Sequence, residues 1–113
     1  MKLIVAYIRP ERLNEVKRNL YAKEIHNISV TNSLGSGRQG GFHESYRGVD
    51  IEVNLNKKMR LEIGVNEEFL DMAIKAITDG ARTGNLGDGV IFVTNLEQCV
   101  RIRTGEIGHD AIG

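Results

Sequence analysis

Lys57-Lys-Met-Arg-Leu-Glu-Ile-Gly-Val65 alternates Met59, Leu61, Ile63 and Val65 against Lys58, Arg60, Glu62 and Gly64. A period of two puts one set in a core and the other on the opposite sheet face, so this is a half-buried strand. Downstream, Asn66 is placed to cap a helix over 67–81, whose apolar face is Phe69, Met72, Ala73, Ala76 and Ile77. A glycine-containing loop over 82–89 leads to a short buried strand, Val90–Val93, and Val100–Arg103 reads as a further edge strand. Upstream, Ile28–Leu34 alternates as well, and Lys2–Arg9 is almost wholly apolar, as in a strand buried on both faces. Pro10 then suits a first helical turn, and Leu13, Val16 and Leu20 mark one face of a helix over 11–23. Between 35 and 55 no regular period is visible.

The order β-α-β, long loop, β-α-β predicts an α+β fold. It is the ferredoxin-like split βαβ arrangement, an antiparallel four-stranded sheet with both helices on one face. The other sheet face then needs a cover, and a second copy of the chain would supply one. At 113 residues a single domain, 1–113, is expected. Fifteen Lys and Arg balance fifteen Asp and Glu. That neutrality argues against a nucleic-acid binder, which needs surplus cations to displace counterions. Cys99 is the only cysteine, so no internal disulfide can form. The apolar run Leu3–Ile8 is too short for a signal-peptide core and nothing approaches a membrane span, so a soluble, cytoplasmic chain is expected. His26, His43 and His109 show no ligand spacing.

Thirteen glycines exceed the roughly eight that average usage gives, and most fall in clusters. Gly35-Ser-Gly37-Arg38-Gln39-Gly40 spells G-x-G-x-x-G, but no helical period follows it, so a dinucleotide fingerprint is rejected. It stands either as a backbone-exposing ligand wall or as a plain hairpin loop. Thr83-Gly-Asn-Leu-Gly87-Asp88-Gly89 suits a loop offering N–H donors to an anion, or a simple helix end. Arg101 and Arg103, two apart on an extended segment, would face one side and fit phosphates or carboxylates, or merely guard a sheet edge.

Taken together and in order, Gly35-x-Gly37-Arg38-Gln39, Tyr46-Arg47-Gly48, Thr83-Gly84-x-x-Gly87-Asp88-Gly89-x-Ile91-Phe92 and Arg101-Ile102-Arg103-Thr104-Gly105-Glu106 resemble the PII signal-transduction proteins of nitrogen regulation. The resemblance spans nearly the whole chain. It implies a homotrimer that binds ATP or ADP between subunits. Ser29, Gly35, Gly37, Arg38, Gln39 and Gly64 would line the nucleotide cleft. Gly87, Asp88 and Gly89 would cradle phosphate in a loop over 82–90, with Arg101 and Arg103 arriving from the neighbouring subunit's C-terminal segment, 95–113. Gln39 would hold Mg²⁺ together with the phosphates. Gln39, Gly41, Lys58 and Gly87 would bind 2-oxoglutarate. A mobile loop over about 37–55, carrying Tyr46 and Arg47, would dock on a transporter or enzyme of nitrogen metabolism.

The chain departs from the family pattern at several positions. Val90 stands where a cation usually contacts phosphate, which opens a preference for ADP or AMP and a divergent paralogue serving another transporter. Ile51 and Val49 stand where the family carries its modified tyrosine and serine. Ser29, Gly64 and Gly40 replace commoner residues. No catalytic residue is expected, since Asp88 has no accompanying His or Cys. A small phosphate-handling hydrolase is the lesser alternative.

Overall fold

The computed structural model describes residues 1–36 and 55–112, with the backbone alone of 43–46 and 49–52. Among the described residues eight elements carry the main body: β1 (Lys2–Ile8), a 3₁₀ turn (Pro10–Arg12), α1 (Leu13–Ala22), β2 (Ser29–Gly35), β5 (Asn56–Val65), α2 (Glu67–Ala81), β6 (Gly89–Asn95) and a final 3₁₀ turn (Gly108–Ala111). Between β2 and β5, β3 (His43–Tyr46) and β4 (Val49–Glu52) pair antiparallel as a separate two-stranded sheet. The alternating stretch 57–65 falls within β5, which lies inside the sheet order β2-β5-β1-β6. Every pairing is antiparallel: Ile4 faces Ile63 on β5 and Val93 on β6, and Ser29 of β2 faces Glu62. This is the split βαβ topology.

One sheet face forms the core. Ile4, Ala6 and Ile8 from β1 and Leu61, Ile63 and Val65 from β5 are buried against Val16 and Leu20 of α1 and Ala73, Ala76 and Ile77 of α2. Each such branched side chain contributes about 1.5–3 kcal/mol by leaving water. The helices touch closely at Gly80, where a Cβ would stand 2.9 Å from the Val16 backbone. Their contact is tied by Asn19 Nδ2 donating to the Ala76 carbonyl (3.1 Å) and Arg12 Nε to the Gly80 carbonyl (2.7 Å). On the opposite face Tyr7 meets Phe92 edge-on, with ring centroids 6.4 Å apart, and Val90 and Phe92 remain about half exposed.

Five expectations change. β1, read as buried on both faces, is buried only on the face of Ile4, Ala6 and Ile8, and Val90–Val93, read as buried, lies largely exposed within β6, because the second sheet face has no helices over it. Residues 10–12 form a 3₁₀ turn before α1, because the chain leaves β1 through Arg9–Pro10 with Arg12 N–H bonded to the Arg9 carbonyl. Asn66 occupies the N-cap of α2, but its side chain does not cap: its backbone carbonyl accepts from Phe69 N–H, while Nδ2 donates to the His109 carbonyl (3.0 Å). Val100–Arg103 is not an edge strand. Only Val100 bridges to Ile107, and 102–104 turn, with Gly105 N–H bonded to the Arg101 carbonyl. Among the described residues no helix is long and apolar enough to cross a membrane.

Candidate anion site and its two separated halves

The loop leaving α2 is organised around Asp88. Its Oδ2 accepts from the N–H groups of Thr83 (2.7 Å) and Gly84 (2.8 Å), and its Oδ1 from the Thr83 hydroxyl and from Arg9 Nε (3.1 Å). The Thr83 hydroxyl, the two backbone N–H groups and Arg9 hold this carboxyl well below the usual carboxylate range. Asp88 is thus the loop's internal tie. Arg9 also donates through Nη2 to the Leu86 carbonyl (2.6 Å), and Lys58 Nζ donates to the Gly87 carbonyl. Partial burial, followed by the nearby Arg9, lowers the Lys58 ammonium's pKa. Gly87 and Gly89 take positive φ, +100° and +106°. Gly35 approaches from β2, its would-be Cβ 3.6 Å from Lys58 Cγ. Gly35, Lys58, Gly87, Asp88 and Gly89 therefore gather at one end of the sheet.

Ser29 and Gly64 lie at the other end. Six residues of strand separate Lys58 from Gly64, about 20 Å. Beside Gly64 a cavity of about 250 Å³ is walled by Ile25, Val65, Phe69 and Ile112, with Glu24, His26, Asn27 and Asn66 at its polar positions. Asn66 Oδ1 is buried with no partner among the described residues. The C-terminal segment closes this end. His109 Nε2 pairs with Glu68 Oε1 (2.7 Å), and Arg101 donates to the carbonyls of Asp110 (3.3 Å) and Ala111 (3.4 Å) and pairs with Glu106 (3.5 Å). Glu68, then Asp110, raises the His109 pKa.

Arg101 and Arg103 do not share the face of a strand as expected. Arg101 folds onto its own tail, and Arg103 lies exposed in the turn next to Ile102, which is 99 % exposed. A turn rotates successive side chains apart, so the two-residue spacing no longer aligns them. Gly37, Arg38, Gln39, Gly41, Arg47 and the side chain of Tyr46 lie outside the described residues. Among the described residues no group of three His, Cys, Asp or Glu could hold a metal ion.

Sequence reasoning missed Arg9 and Thr83 as loop organisers. The β1–β6 pairing, Ile8 opposite Gly89, is the signal that places Arg9 beside residue 88.

The split βαβ fold thus gathers Gly35, Lys58 and the 83–89 loop at one end of the sheet and Ser29, Gly64 and Arg101 toward the other. The chain belongs to the nitrogen regulatory protein P-II family, whose pattern matches residues 1–106. It is 49 % identical over 112 residues to nitrogen regulatory protein P-II 2 of Methanothermobacter thermautotrophicus, covering 99 % of this chain and 97 % of that one. It is 46 % identical over 114 residues to nitrogen regulatory protein GlnK1 of Methanosarcina mazei, with the same coverage. The match to nitrogen regulatory protein P-II of Azospirillum brasilense is 47 % over 112 residues, 99 % of this chain and all of that one (100 %).

Proposed function

We propose that the chain is a cytoplasmic sensor that binds ATP or ADP in clefts between copies of a homotrimer and controls a nitrogen-metabolism target through its 37–55 segment. The observation that carries this reading is the separation of the half-sites. By strand register Lys58 lies about 13 Å from Ser29 and about 20 Å from Gly64, and Arg101 is bound to the Asp110 and Ala111 carbonyls at the Gly64 end, so on this reading a second copy brings its Gly64 and Arg101 end to the glycine loop. The half-exposed Val90 and Phe92 give the apolar face on which copies would meet. The base enters beside Gly64, and the phosphates meet the glycine loop. Gln39 and Mg²⁺ would join the phosphates to 2-oxoglutarate, whose carboxylate Lys58 reaches by giving up the Gly87 carbonyl. Arg47 would meet the target, an ammonium transporter or an enzyme.

Val90 offers no charged contact to a terminal phosphate. One such bond is worth about 1.5–3 kcal/mol, a tenfold or larger affinity difference. Calorimetry with ATP, ADP and AMP, each with and without Mg²⁺ and 2-oxoglutarate, is expected to show ADP binding nearly as tightly as ATP, and Val90→Lys is expected to favour ATP. No nucleotide binding at all defeats the sensor reading. A strong ATP preference that Val90→Lys leaves untouched defeats the role given to Val90. A hydrolase fits poorly, because the Asp88 carboxylate is fully engaged and too weak a base to activate water.

A further inference from the structure

Two consecutive carbonyls of the glycine loop are held by cations: Leu86 by Arg9 (2.6 Å) and Gly87 by Lys58. The described peptides are all trans. A trans peptide points its N–H opposite to its C=O. Holding the Leu86 carbonyl therefore turns the Gly87 N–H away from Arg9, and holding the Gly87 carbonyl turns the Asp88 N–H away from Lys58. Each of these N–H groups thus points away from the cation that holds the preceding carbonyl, and Gly87, which joins the two peptides, takes φ +100°, the positive-φ backbone from which successive N–H groups form anion nests. The N–H groups of Thr83 and Gly84 are already used by Asp88. The same guanidinium lies 3.1 Å from Asp88 Oδ1 and offsets a carboxylate that would repel an anion there.

We propose that Arg9 is a positioning residue of the phosphate site: it does not touch the ligand, but aims the Gly87 and Asp88 N–H groups at a phosphoryl oxygen and masks Asp88. This rests on the nucleotide reading above. Arg9 is well placed to be specific, since its Nε and Nη2 bind two different loop groups at once, which a lysine's single ammonium cannot reproduce.

The test compares ADP with adenosine, which lacks phosphate, on the whole protein. Arg9→Ala is expected to weaken ADP about tenfold or more while adenosine stays within about twofold, and Arg9→Lys to recover part of the loss. In the ligand-free protein the ¹⁵N–¹H signals of Gly87 and Asp88 should move in Arg9→Ala, while those of Ser29 and Gly64 stay. Should the alanine variant fail to fold, Arg9→Gln, of similar length, carries the same comparison. Unchanged ADP binding, or ADP and adenosine falling together, overturns the proposal. So do Gly87 and Asp88 signals that do not move. If the unmodified protein binds no ADP, the nucleotide reading fails, and those two amide signals alone decide the role of Arg9.

Discussion

A Cβ on Gly89 would stand 1.7 Å from the Tyr7 carbonyl oxygen, and the residue sits at φ +106°. Both facts follow from its place at the head of β6, where the chain leaves the glycine loop and must pair with Ile8 at once. Gly84 shares the positive φ, +90°, but its Cβ would meet nothing within 4 Å. Gly89→Ala is therefore expected to cost about 2–5 kcal/mol, from strain and a backbone clash together, and Gly84→Ala about 1–3 kcal/mol from strain alone. Urea denaturation of the two variants checks the order, and equal losses would contradict the close approach to Tyr7. The sequence marks both glycines as members of one cluster and cannot rank them, because rank depends on a strand eighty residues away in the chain. For the same reason Asp88 reads in sequence as part of an anion cradle, whereas its carboxylate ties the loop from within. Of its partners, Thr83 is a neighbour in the same loop, whereas Arg9 becomes visible only once β1 and β6 are paired.

The C-terminal segment is the element least legible beforehand. Val-Arg-Ile-Arg alternates like a strand, but Gly105 and Gly108, both at φ +74°, turn the chain back so that only Val100 pairs, with Ile107. The helices and core strands were legible because many residues repeat one period. A four-residue alternation beside glycines carries too little of that signal. What holds the segment instead is a clasp on the start of α2: Asn66 Nδ2 to the His109 carbonyl, and His109 to Glu68, with Asp110 also beside the ring at 3.5 Å. The His109 pKa is raised, so its contribution is fully present below about 6.5 and is lost as pH rises through the folded value. Its pair with His109 lowers the Glu68 pKa, so that contribution is present above about 4.5 and is lost as pH falls through the folded value. The clasp is therefore tightest between those two values and loosens toward alkaline pH. Amide exchange at Ile112, whose N–H bonds the His109 carbonyl, should accelerate above neutrality beyond its intrinsic base dependence, and His109→Gln should abolish that excess. An exchange profile that His109→Gln leaves unchanged would rule the clasp out.

At the scale of the molecule the question is whether the proposed nucleotide site belongs to one chain or two. The sequence offers candidate residues for both proposed half-sites but cannot say how far apart they lie. The strand register does, because Ser33 pairs with Lys58 and Ser29 with Glu62, laying the two sets along opposite ends of one sheet. A ring in which each copy offers its glycine-loop end to the next copy's arginine end closes by a head-to-tail contact. Lys58→Glu would spoil the first end, and the double change Arg101→Glu with Arg103→Glu the second. Each variant alone should bind ADP at a small fraction of the unmodified level. In a trimer mixing both, the glycine-loop end of an arginine variant meets the arginine end of a Lys58 variant at one junction, and there both halves are intact. Unfolding and refolding the two variants together at equal amounts should thus restore about one quarter of the sites, since each junction draws its two ends independently. Binding titrations that count sites per chain distinguish the alternatives. A site contained in one chain would give no recovery on mixing, because every chain then carries a damaged half of its own.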